Sequence, residues 1–315
     1  MIDPTRSASV ADPFHHPAFL YRNRDEYLAG TVGFVRQGLA AGEPVAVAVP
    51  TANLTLLRAA LGADAAAVRL LDMTVAGRNP GRIIPGVLRA FADEHPATRV
   101  RIIGEPVWAA RSALEYPACI QHEALINAAF ADRDVTILCP YDITALPAQA
   151  IADAWATHPH MIDAGGETVS DAYDPGRIVE SGNRRLPEPP ATAVRLAFDG
   201  DSLPQARRAA TDFARRHGMS EERVADVELL VGEATTNSVV HAGGGGTLAL
   251  WCVDAQLRCQ IRDRGYIADP LIGRLPASLL TPGGRGLLLI NQIADLVRIH
   301  TRPAGTTLHL HLALA

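Results

Sequence analysis

Short apolar segments alternate with amphipathic ones along the first half of the chain. Five short runs are almost entirely apolar, which is typical of strands buried on both faces of a parallel sheet; they cover residues 18–21, 45–49, 68–71, 100–103 and 135–139. Other segments repeat apolar residues at three- and four-residue spacing and predict helices at 25–40, 53–61, 83–94, 119–131 and 147–156. This alternation predicts an α/β domain built on a parallel sheet.

The second half of the chain has a different pattern. Strands are predicted at residues 194–198, 247–253, 257–263, 296–301 and 306–312, and helices at 203–217, 220–241 and 286–293. Ser220 is a suitable N-cap for the longest helix, because Glu221 and Glu222 follow in its first turn, where the helix dipole favours acids. Helices packed on one face of a mostly antiparallel sheet form an α+β two-layer sandwich.

A stretch rich in glycine and proline separates the two patterns. It contains Gly-Gly, Asp-Pro-Gly, Ser-Gly-Asn and Pro-Glu-Pro-Pro between residues 163 and 190, a composition typical of linkers. We therefore predict two domains, residues 1–165 and 191–315, joined by a linker over 166–190. The length of 315 residues fits two domains of roughly 150 residues each.

Composition narrows the possible functions. The net charge of −5 argues against a dedicated nucleic-acid-binding protein. No apolar run approaches the ~18 residues of a membrane span, and the first residues lack the apolar core of a secretory signal, so we expect a cytoplasmic protein. All 29 basic residues are arginine, which excludes a lysine Schiff base and a P-loop with its lysine.

A polar pair lies on the long helix of the second half. Glu233 and Asn237 are four residues apart and therefore project from the same helix face; the surrounding apolar residues Leu229, Leu230, Val239 and Val240 predict that much of this helix is buried. Taken alone, the pair is equally compatible with a hydrogen bond on a solvated face. Its functional meaning depends on the segments that follow.

Glycine-bearing loops follow at the ends of predicted strands and helices. Residues 263–265 (Asp-Arg-Gly) end a strand, residues 283–286 (Gly-Gly-Arg-Gly) begin a helix, and residues 305–307 (Gly-Thr-Thr) begin the last strand. Free amides at a helix N-terminus suit phosphate, and a carboxylate at a strand end can accept a hydrogen bond from an amino group. Each loop alone is also compatible with an ordinary turn, so their order along the chain carries the argument.

Together these segments resemble the GHKL (Bergerat-fold) ATPases, and among them the anti-sigma-factor serine kinases with their histidine-kinase-like ATPase domain. Residues 233–242 match the N-box, 263–265 the first glycine box, 283–287 the second glycine box, and 305–307 the closing element. The resemblance covers about residues 191–315. It departs from the family at Ile267, where the first glycine box usually has a second glycine.

The resemblance implies ATP and Mg²⁺ as cofactors and assigns a role to each matched residue. Asn237 would hold Mg²⁺, Asp263 would bind the adenine amino group, and Glu233 would act as base for the attacking hydroxyl. The other implied ATP-binding residues are Gly265, Gly284, Arg285, Gly286, Leu287 and Thr306, of which Gly284 and Gly286 would cradle phosphates and Thr306 would border the adenine.

The acceptor is expected to be a serine on another protein. A two-component histidine kinase needs a phosphoaccepting histidine on a dimerising helical hairpin upstream of the ATPase domain, and here the Gly/Pro-rich linker occupies that place. We interpret His158, His160 and His217 as ordinary surface histidines.

The first half resembles the MEDS sensory domain, which implies a RecA-like α/β fold over about residues 16–163. The resemblance rests on residues 16–21 (His-Pro-Ala-Phe-Leu-Tyr), 38–44 (Gly-Leu-Ala-Ala-Gly-Glu-Pro), 104–108 (Gly-Glu-Pro-Val-Trp), 122–127 (His-Glu-Ala-Leu-Ile-Asn) and 139–142 (Cys-Pro-Tyr-Asp). The chain lacks a Gly-rich phosphate loop in this half, so we do not expect a second ATPase there.

A crevice at the strand ends of this half is a candidate ligand site. Open α/β sheets bind ligands at the carboxyl ends of strands, and the candidate residues there are Glu105, Trp108, His122, Glu123, Tyr141 and Asp142. The equally weighted alternative pairs Glu105 and Glu123 with arginines such as Arg101 or Arg111. His15 and His16 are adjacent in a strand and point to opposite faces, which favours structural roles over a shared metal.

The leading hypothesis is a signal-responsive kinase that phosphorylates a serine on a STAS-type anti-sigma-factor antagonist. By the resemblance it would also sequester a sigma factor and thereby control transcription, with a small molecule or other signal acting on the first domain. The alternative is a non-catalytic switch in which ATP binding changes the affinity for a partner. A weaker alternative makes the first half an enzyme acting on a one-carbon compound. Related kinases are commonly dimers, so a homodimer stays open.

Overall fold

The computed structural model describes residues 14–276 and 285–314. Within these residues the chain forms two separate β-sheets, one in each half. The first is mostly parallel and the second is antiparallel, as the two sequence patterns predict. A two-domain α/β plus α+β organisation is therefore confirmed.

The first sheet contains eight strands in the order β4-β3-β5-β6-β2-β7-β8, with the two-residue β1 pairing alongside β6. All pairings are parallel except that of β7 with β8. The strands are β1 Phe14–His15, β2 Pro17–Tyr21, β3 Val45–Val49, β4 Val68–Asp72, β5 Val100–Gly104, β6 Val135–Asp142, β7 His160–Asp163 and β8 Gly166–Val169.

Helices cover both faces of this sheet. They are α1 Arg24–Ala40, α2 Thr51–Leu61, α3 Met73–Ala76, α4 Ala90–Asp93, α5 Tyr116–Ala129, α6 Ala148–Thr157 and α7 Pro175–Gly182. Alternate residues of β3 enter opposite cores: Val47 packs with α1 and α2, whereas Ala48 packs on the side of α5 and α6. This two-sided burial explains why the strands are continuous apolar runs.

The predicted helix over residues 83–94 is divided. A π-helical turn, Ile84–Arg89, precedes the short α4. Pro85 lies in the first turn of this segment, where its missing N–H leaves no regular hydrogen bond to break.

The second sheet has five antiparallel strands in the order β12-β13-β11-β10-β9. Its elements are β9 Val194–Asp199, α8 Leu203–Arg216, α9 Glu221–His241, β10 Gly245–Val253, β11 Gln256–Asp263, α10 Arg285–Ile293, β12 Leu296–Arg302 and β13 Gly305–Ala313. Helices α8, α9 and α10 bury their apolar faces, including Phe213, Leu230 and Ile290, against one face of the sheet. Ser220 caps α9 as the sequence predicts, since its Oγ accepts a hydrogen bond from the Arg223 N–H at 3.3 Å.

The segment expected to be a linker over 166–190 contains regular structure. Gly166, with φ of +113°, allows β7 to turn back into β8, and Asp174 caps α7 through a 2.9 Å bond from the Arg177 N–H. Helix α7 packs against α5 of the first domain. The prediction of an irregular linker over this whole range is therefore wrong, because glycine and proline here form a tight turn and a helix start.

The last residues of that segment lie against the second sheet. Glu188 accepts a 2.7 Å hydrogen bond from Arg262 on β11, and the Pro189 carbonyl accepts one of 2.8 Å from Arg195 on β9. This part of the chain therefore packs on the second domain instead of forming an unattached connection between the domains.

The two domains also contact each other through buried polar groups. Asn79 is fully buried; its amide donates to the Asn291 carbonyl at 2.8 Å, and its side-chain oxygen accepts from the Val297 N–H at 3.3 Å. Arg78 forms an ion pair with Asp295 at 3.1 Å. Helix α10 is therefore anchored to the first domain at its C-terminal end.

No helix in the described ranges is both long and apolar enough to cross a lipid bilayer.

Candidate functional site

A cleft of about 370 Å³ opens in the second domain beside the long helix α9. Its walls come from α9, the end of β11, the start of β13 and the N-terminal turn of α10. Apolar side chains dominate the lining, among them Ala234, Ile261, Ile267, Ile272, Leu287 and Leu308; the polar residues Asn237, Ser238, Asp263 and Thr306 also contribute. A largely apolar cavity with a few convergent polar groups is the usual form of a small-molecule site.

Asp263 is held in one orientation inside the cleft. One carboxylate oxygen accepts a 2.6 Å hydrogen bond from the Ser238 hydroxyl, and the other accepts a 2.8 Å bond from the Gly265 N–H. Because a carboxylate offers about four acceptor positions, these two bonds fix the group and leave acceptor capacity for a ligand amino group. Ser238 on α9 was not predicted, although its position one residue after Asn237 within the matched N-box segment offered a signal.

Glu233 and Asn237 project from α9 toward the start of α10, as their four-residue spacing predicts. A Cβ built on Gly286 would lie only 2.8 Å from both Asn237 Nδ2 and Glu233 Oε2. An added Cβ would therefore have to displace the ends of both side chains.

The closing strand contributes Thr306 opposite Asp263 in the β11–β13 pairing. Its hydroxyl donates to the Gly265 carbonyl at 2.9 Å and lies 2.8 Å from the Thr301 hydroxyl. Gly305, with φ of +146°, has Asp263 O 2.5 Å from the position of a Cβ, so no other residue fits there without a shift. Hydroxyls and backbone together fix this corner of the cleft.

The start of α10 contributes two of the remaining predicted residues. Arg285 is exposed at the first position of α10 and Leu287 lines the cleft, whereas Gly284 lies outside the described residues. Ile267 lines the cleft, and its N–H donates to the Thr301 hydroxyl at 2.9 Å. The isoleucine that replaces the usual glycine is thus accommodated at the cleft wall.

The predicted burial of α9 holds for only part of its apolar residues. Leu230 is fully buried, but Leu229 is 41% exposed and Val240 is 64% exposed. The prediction that much of this helix is buried is confirmed, since Val227, Leu230 and Val231 are fully buried, and the exposed residues lie off the stripe that faces the core.

In the first domain, Glu105 follows β5 as predicted, but it lies in the interior. Both of its oxygens are 2.9 Å from the Asn53 amide nitrogen, and the Tyr27 hydroxyl donates to one of them at 3.3 Å. Burial raises the pKa of Glu105 to about 8, against the opposing effect of these hydrogen bonds. The neighbours Tyr27 and Asn53 were not found from the sequence.

Arginine pairing does not account for Glu105 or Glu123. Arg101 pairs with Glu43, and Arg111 pairs with Glu115 at 2.9 Å. The alternative that these two buried glutamates form ion pairs with Arg101 or Arg111 is therefore wrong.

The six candidate ligand residues of this domain do not share one open crevice. Glu105, His122, Glu123 and Tyr141 are each at most 3% exposed. Trp108 stacks on the Arg111 guanidinium at 3.9 Å and lines a different cleft, next to Tyr116 and Asp153. Asp142 accepts hydrogen bonds from the N–H and hydroxyl of Thr144, at 2.9 and 2.7 Å.

The structure instead brings Glu123 to two histidines. His158 and His16 are fully buried, and their Nε2 atoms lie 3.0 and 3.6 Å from the carboxylate of Glu123. The interpretation of His158 as a surface histidine is wrong: the turn after α6 carries it into the interior. His15 does point the opposite way, pairing with Glu167 at 2.7 Å.

Comparison with known families divides the chain in the same way as the fold. Residues 15–159 match the MEDS domain (MEthanogen/methylotroph, DcmR Sensory domain), and residues 196–312 match the histidine kinase-like ATPase domain.

Named relatives match the second domain. The chain is 31% identical over 111 residues to the serine-protein kinase RsbW of Oceanobacillus iheyensis, covering 31% of this chain and 70% of that protein. It is 27% identical over 127 residues to RsbW of Halalkalibacterium halodurans, covering 36% and 78%. It is 29% identical over 117 residues to the anti-sigma F factor of Pasteuria penetrans, covering 33% and 78%.

These matches agree with a cleft that gathers the N-box and glycine-box residues around Asp263. The chain therefore belongs to the RsbW and anti-sigma F family of proteins with a histidine kinase-like ATPase domain, and it combines that domain with a MEDS domain.

Proposed function

We propose that this protein binds Mg·ATP in the cleft beside α9 and phosphorylates a serine on an anti-sigma-factor antagonist of the STAS type. The observation that carries the proposal is the fixed Asp263 carboxylate inside a largely apolar cleft whose far side holds Glu233, Asn237 and Gly286. A purine ring with an exocyclic amino group suits the apolar part of the cleft around Asp263. A phosphate chain suits the part near Glu233, Asn237 and Gly286.

Asp263 would select adenine. Its two protein hydrogen bonds leave lone pairs for the exocyclic amino group, and the apolar residues Ile261, Ile267 and Leu308 suit the faces and edges of a flat ring. A keto group at the same place would put two acceptors against each other. The site therefore favours adenine over guanine nucleotides.

The residues at the other end fit a metal–phosphate group. Gly286 leaves the space that a side chain would fill against Glu233 and Asn237, and α10 begins at Arg285, where a helix N-terminus presents backbone amides and the positive end of its dipole. Asn237 would hold Mg²⁺, which neutralises phosphate oxygens during phosphoryl transfer. Glu233 would accept the proton of the attacking serine hydroxyl.

A serine acceptor is supported by the segment that precedes the ATPase domain. In the described residues before β9 the chain forms α7 and then packs on the second sheet through Glu188 and Pro189, instead of forming a helical hairpin. His217, at the end of α8, bonds to the Phe213 carbonyl at 2.8 Å and stacks on the Phe213 ring.

The first domain would act as the sensor, and an antagonist and a sigma factor would be the protein partners.

Transfer of labelled phosphate from ATP to a STAS-type antagonist of the same organism tests the proposal. We expect phosphoserine on the antagonist with the wild-type chain. Glu233→Gln should still bind Mg·ATP but lose transfer by at least 100-fold, within the range for a lost general base. Binding with no transfer by the wild type to any antagonist of that organism would select the non-catalytic switch instead.

A further inference from the structure

Four side chains able to bind metals converge in the interior of the first domain. None of them has a role in the proposed kinase site. They are His16, between β1 and β2; Glu123 on α5; Cys139 on β6; and His158, directly after α6. Each is at most 1% exposed, and one ligand atom from each lies within 4.8 Å of the others. We call these four residues the core cluster.

The separations within the core cluster are close to those around a tetrahedral ion. His16 Nε2 lies 3.4 Å from Cys139 Sγ and 3.6 Å from Glu123 Oε2, and His158 Nε2 lies 3.0 Å from the same oxygen. Ligand atoms held at zinc bond lengths of about 2.0–2.3 Å in tetrahedral geometry stand about 3.3–3.7 Å apart. Small movements of these side chains are enough to enclose an ion.

Neighbouring groups hold both imidazoles in the tautomer that a metal requires. Asn127 Nδ2 donates to the Thr157 carbonyl at 2.8 Å, so its Oδ1 faces His16 Nδ1 at 3.0 Å and accepts a proton from it. His158 Nδ1 lies 2.9 Å from the Ala154 carbonyl, which can only accept. With the protons on Nδ1, both Nε2 lone pairs point at the cluster, as in metal-bound histidines oriented by outer hydrogen bonds.

Arginine does not compensate the charge of Glu123 among the residues that the structure describes. Its carboxylate faces His158 Nε2 at 3.0 Å and His16 Nε2 at 3.6 Å, and no arginine pairs with it there. A buried carboxylate facing imidazole lone pairs at 3.0 Å is unfavourable unless a cation lies among them. The bonds already made at Nδ1 disfavour a neutral histidine that donates from Nε2.

We propose that His16, Glu123, Cys139 and His158 bind one divalent transition metal ion, with Zn²⁺ as the first candidate. Imidazole, thiolate and carboxylate are all zinc ligands, and thiolate with imidazole disfavours Mg²⁺ and Ca²⁺. Four protein ligands in a fully buried position make a closed site, so the ion ties β1–β2, α5, β6 and α6 together instead of carrying out catalysis.

Three segments quoted for the MEDS resemblance contribute to this site. Residues 16–21 supply His16, residues 122–127 supply Glu123 and Asn127, and residues 139–142 supply Cys139. These three segments would therefore share one function, metal binding, which does not involve the nucleotide cleft.

Metal content and Co²⁺ spectroscopy of the full chain test the proposal. We expect one equivalent of zinc in purified protein. After removal by a chelator, one equivalent of Co²⁺ should produce the absorption of a tetrahedral cobalt–thiolate site and raise Tm. Cys139→Ser should abolish the thiolate-to-cobalt band, whereas Cys259→Ser, which alters an equally buried thiol of the second domain, should leave it unchanged.

Two further variants keep the test decisive if Cys139→Ser does not fold. Glu123→Gln preserves size and should weaken Co²⁺ binding, and Asn127→Ala, which removes the outer hydrogen bond to His16 together with the bond from Asn127 to the Thr157 carbonyl, should weaken it about 10- to 100-fold. Wild-type protein that neither retains zinc nor binds Co²⁺ stoichiometrically would overturn the proposal and assign the core cluster to a proton shared between Glu123 and a histidine. A cobalt–thiolate band lost in Cys259→Ser but kept in Cys139→Ser would overturn it as well.

Discussion

Glu105 carries its proton at neutral pH in the folded protein. Burial raises its pKa to about 8, although Asn53 and Tyr27 donate hydrogen bonds to it. In the unfolded chain a glutamate ionises near ~4.3. Between these two pH values Glu105 binds more protons in the folded state than in the unfolded chain, so the contribution of this residue to the free energy of unfolding falls as the pH rises, and it stops falling above pH 8.

Glu105→Gln should remove this dependence. We expect the free energy of unfolding of the wild type minus that of the variant to fall by up to about 1.4 kcal/mol per pH unit between pH 5 and 8. Urea unfolding of both proteins at four pH values measures this difference. Glu228→Gln, at an exposed position on α9, is the control and should follow the wild type. Parallel curves for Glu105→Gln and the wild type would contradict the raised pKa.

At the scale of elements, helix α10 starts so close to α9 that a side chain at position 286 would displace two side chains of α9. The position of a Cβ on Gly286 is 2.8 Å from Glu233 Oε2 and from Asn237 Nδ2. These are the two side chains to which the proposed function assigns proton transfer and Mg²⁺ binding. A single added methyl group therefore acts on the site more than on the fold.

Gly286→Ala should weaken Mg·ATP binding at least tenfold, about 1.4 kcal/mol, with little loss of stability. Its matched control is Gly33→Ala in α1, where an added Cβ meets nothing within 4 Å. The control should raise the free energy of unfolding by roughly 0.5–1 kcal/mol and leave ATP affinity unchanged. Nucleotide titration and urea unfolding of both variants measure these effects; wild-type affinity in Gly286→Ala would count against the assigned site.

The elements most faithfully predicted are those whose local pattern agrees with their environment. Strand β3 is predicted residue for residue because both of its faces are buried and its five positions are uniformly apolar. The N-cap at Ser220 is likewise a local signal. Helix α7 was missed because its glycines and Pro175 read as breakers, although Asp174 caps it and α5 supplies its packing partner.

The two candidate sites also differ in how far each could be predicted from the sequence. The second-domain cleft lies among segments that each have their own motif, including those of Asn237, Asp263 and Thr306, so the sequence could point to it. The core cluster could not, since His158 follows an ordinary helix and only tertiary packing brings it within 3.0 Å of Glu123. The spacing of these two residues along the chain does not predict that contact.

At the scale of the whole molecule, α10 links the two domains. Its first turn contacts the cleft through Gly286, and Asn291 near its end contacts the buried Asn79 of the first domain. A change in the first domain that moves Asn79 acts on the same helix that borders the proposed nucleotide cleft. Coupling between two sites needs a shared element of this kind.

Asn79→Ala tests this link. It leaves the Asn291 carbonyl and the Val297 N–H without their side-chain partner, which should lower the free energy of unfolding by roughly 1–3 kcal/mol. We also expect a measurable change in Mg·ATP affinity, although Asn79 does not line the cleft. Calorimetric unfolding and nucleotide titration provide the two readouts, with Gln205→Ala on the exposed face of α8 as control. Unchanged stability and affinity would mean that the domains are not coupled through α10.

The proposed function requires that the second domain binds Mg·ATP through Asp263 and Asn237. Calorimetric titration of the full chain measures this binding. We expect saturable, metal-dependent binding of ATP to the wild type, no comparable binding of GTP, and loss of binding in Asn237→Ala and in Asp263→Asn. Ligand at 100 times Kd should also stabilise the wild type by about 2.7 kcal/mol. Absence of ATP binding by the wild type, or equal binding by all three proteins, would contradict the account.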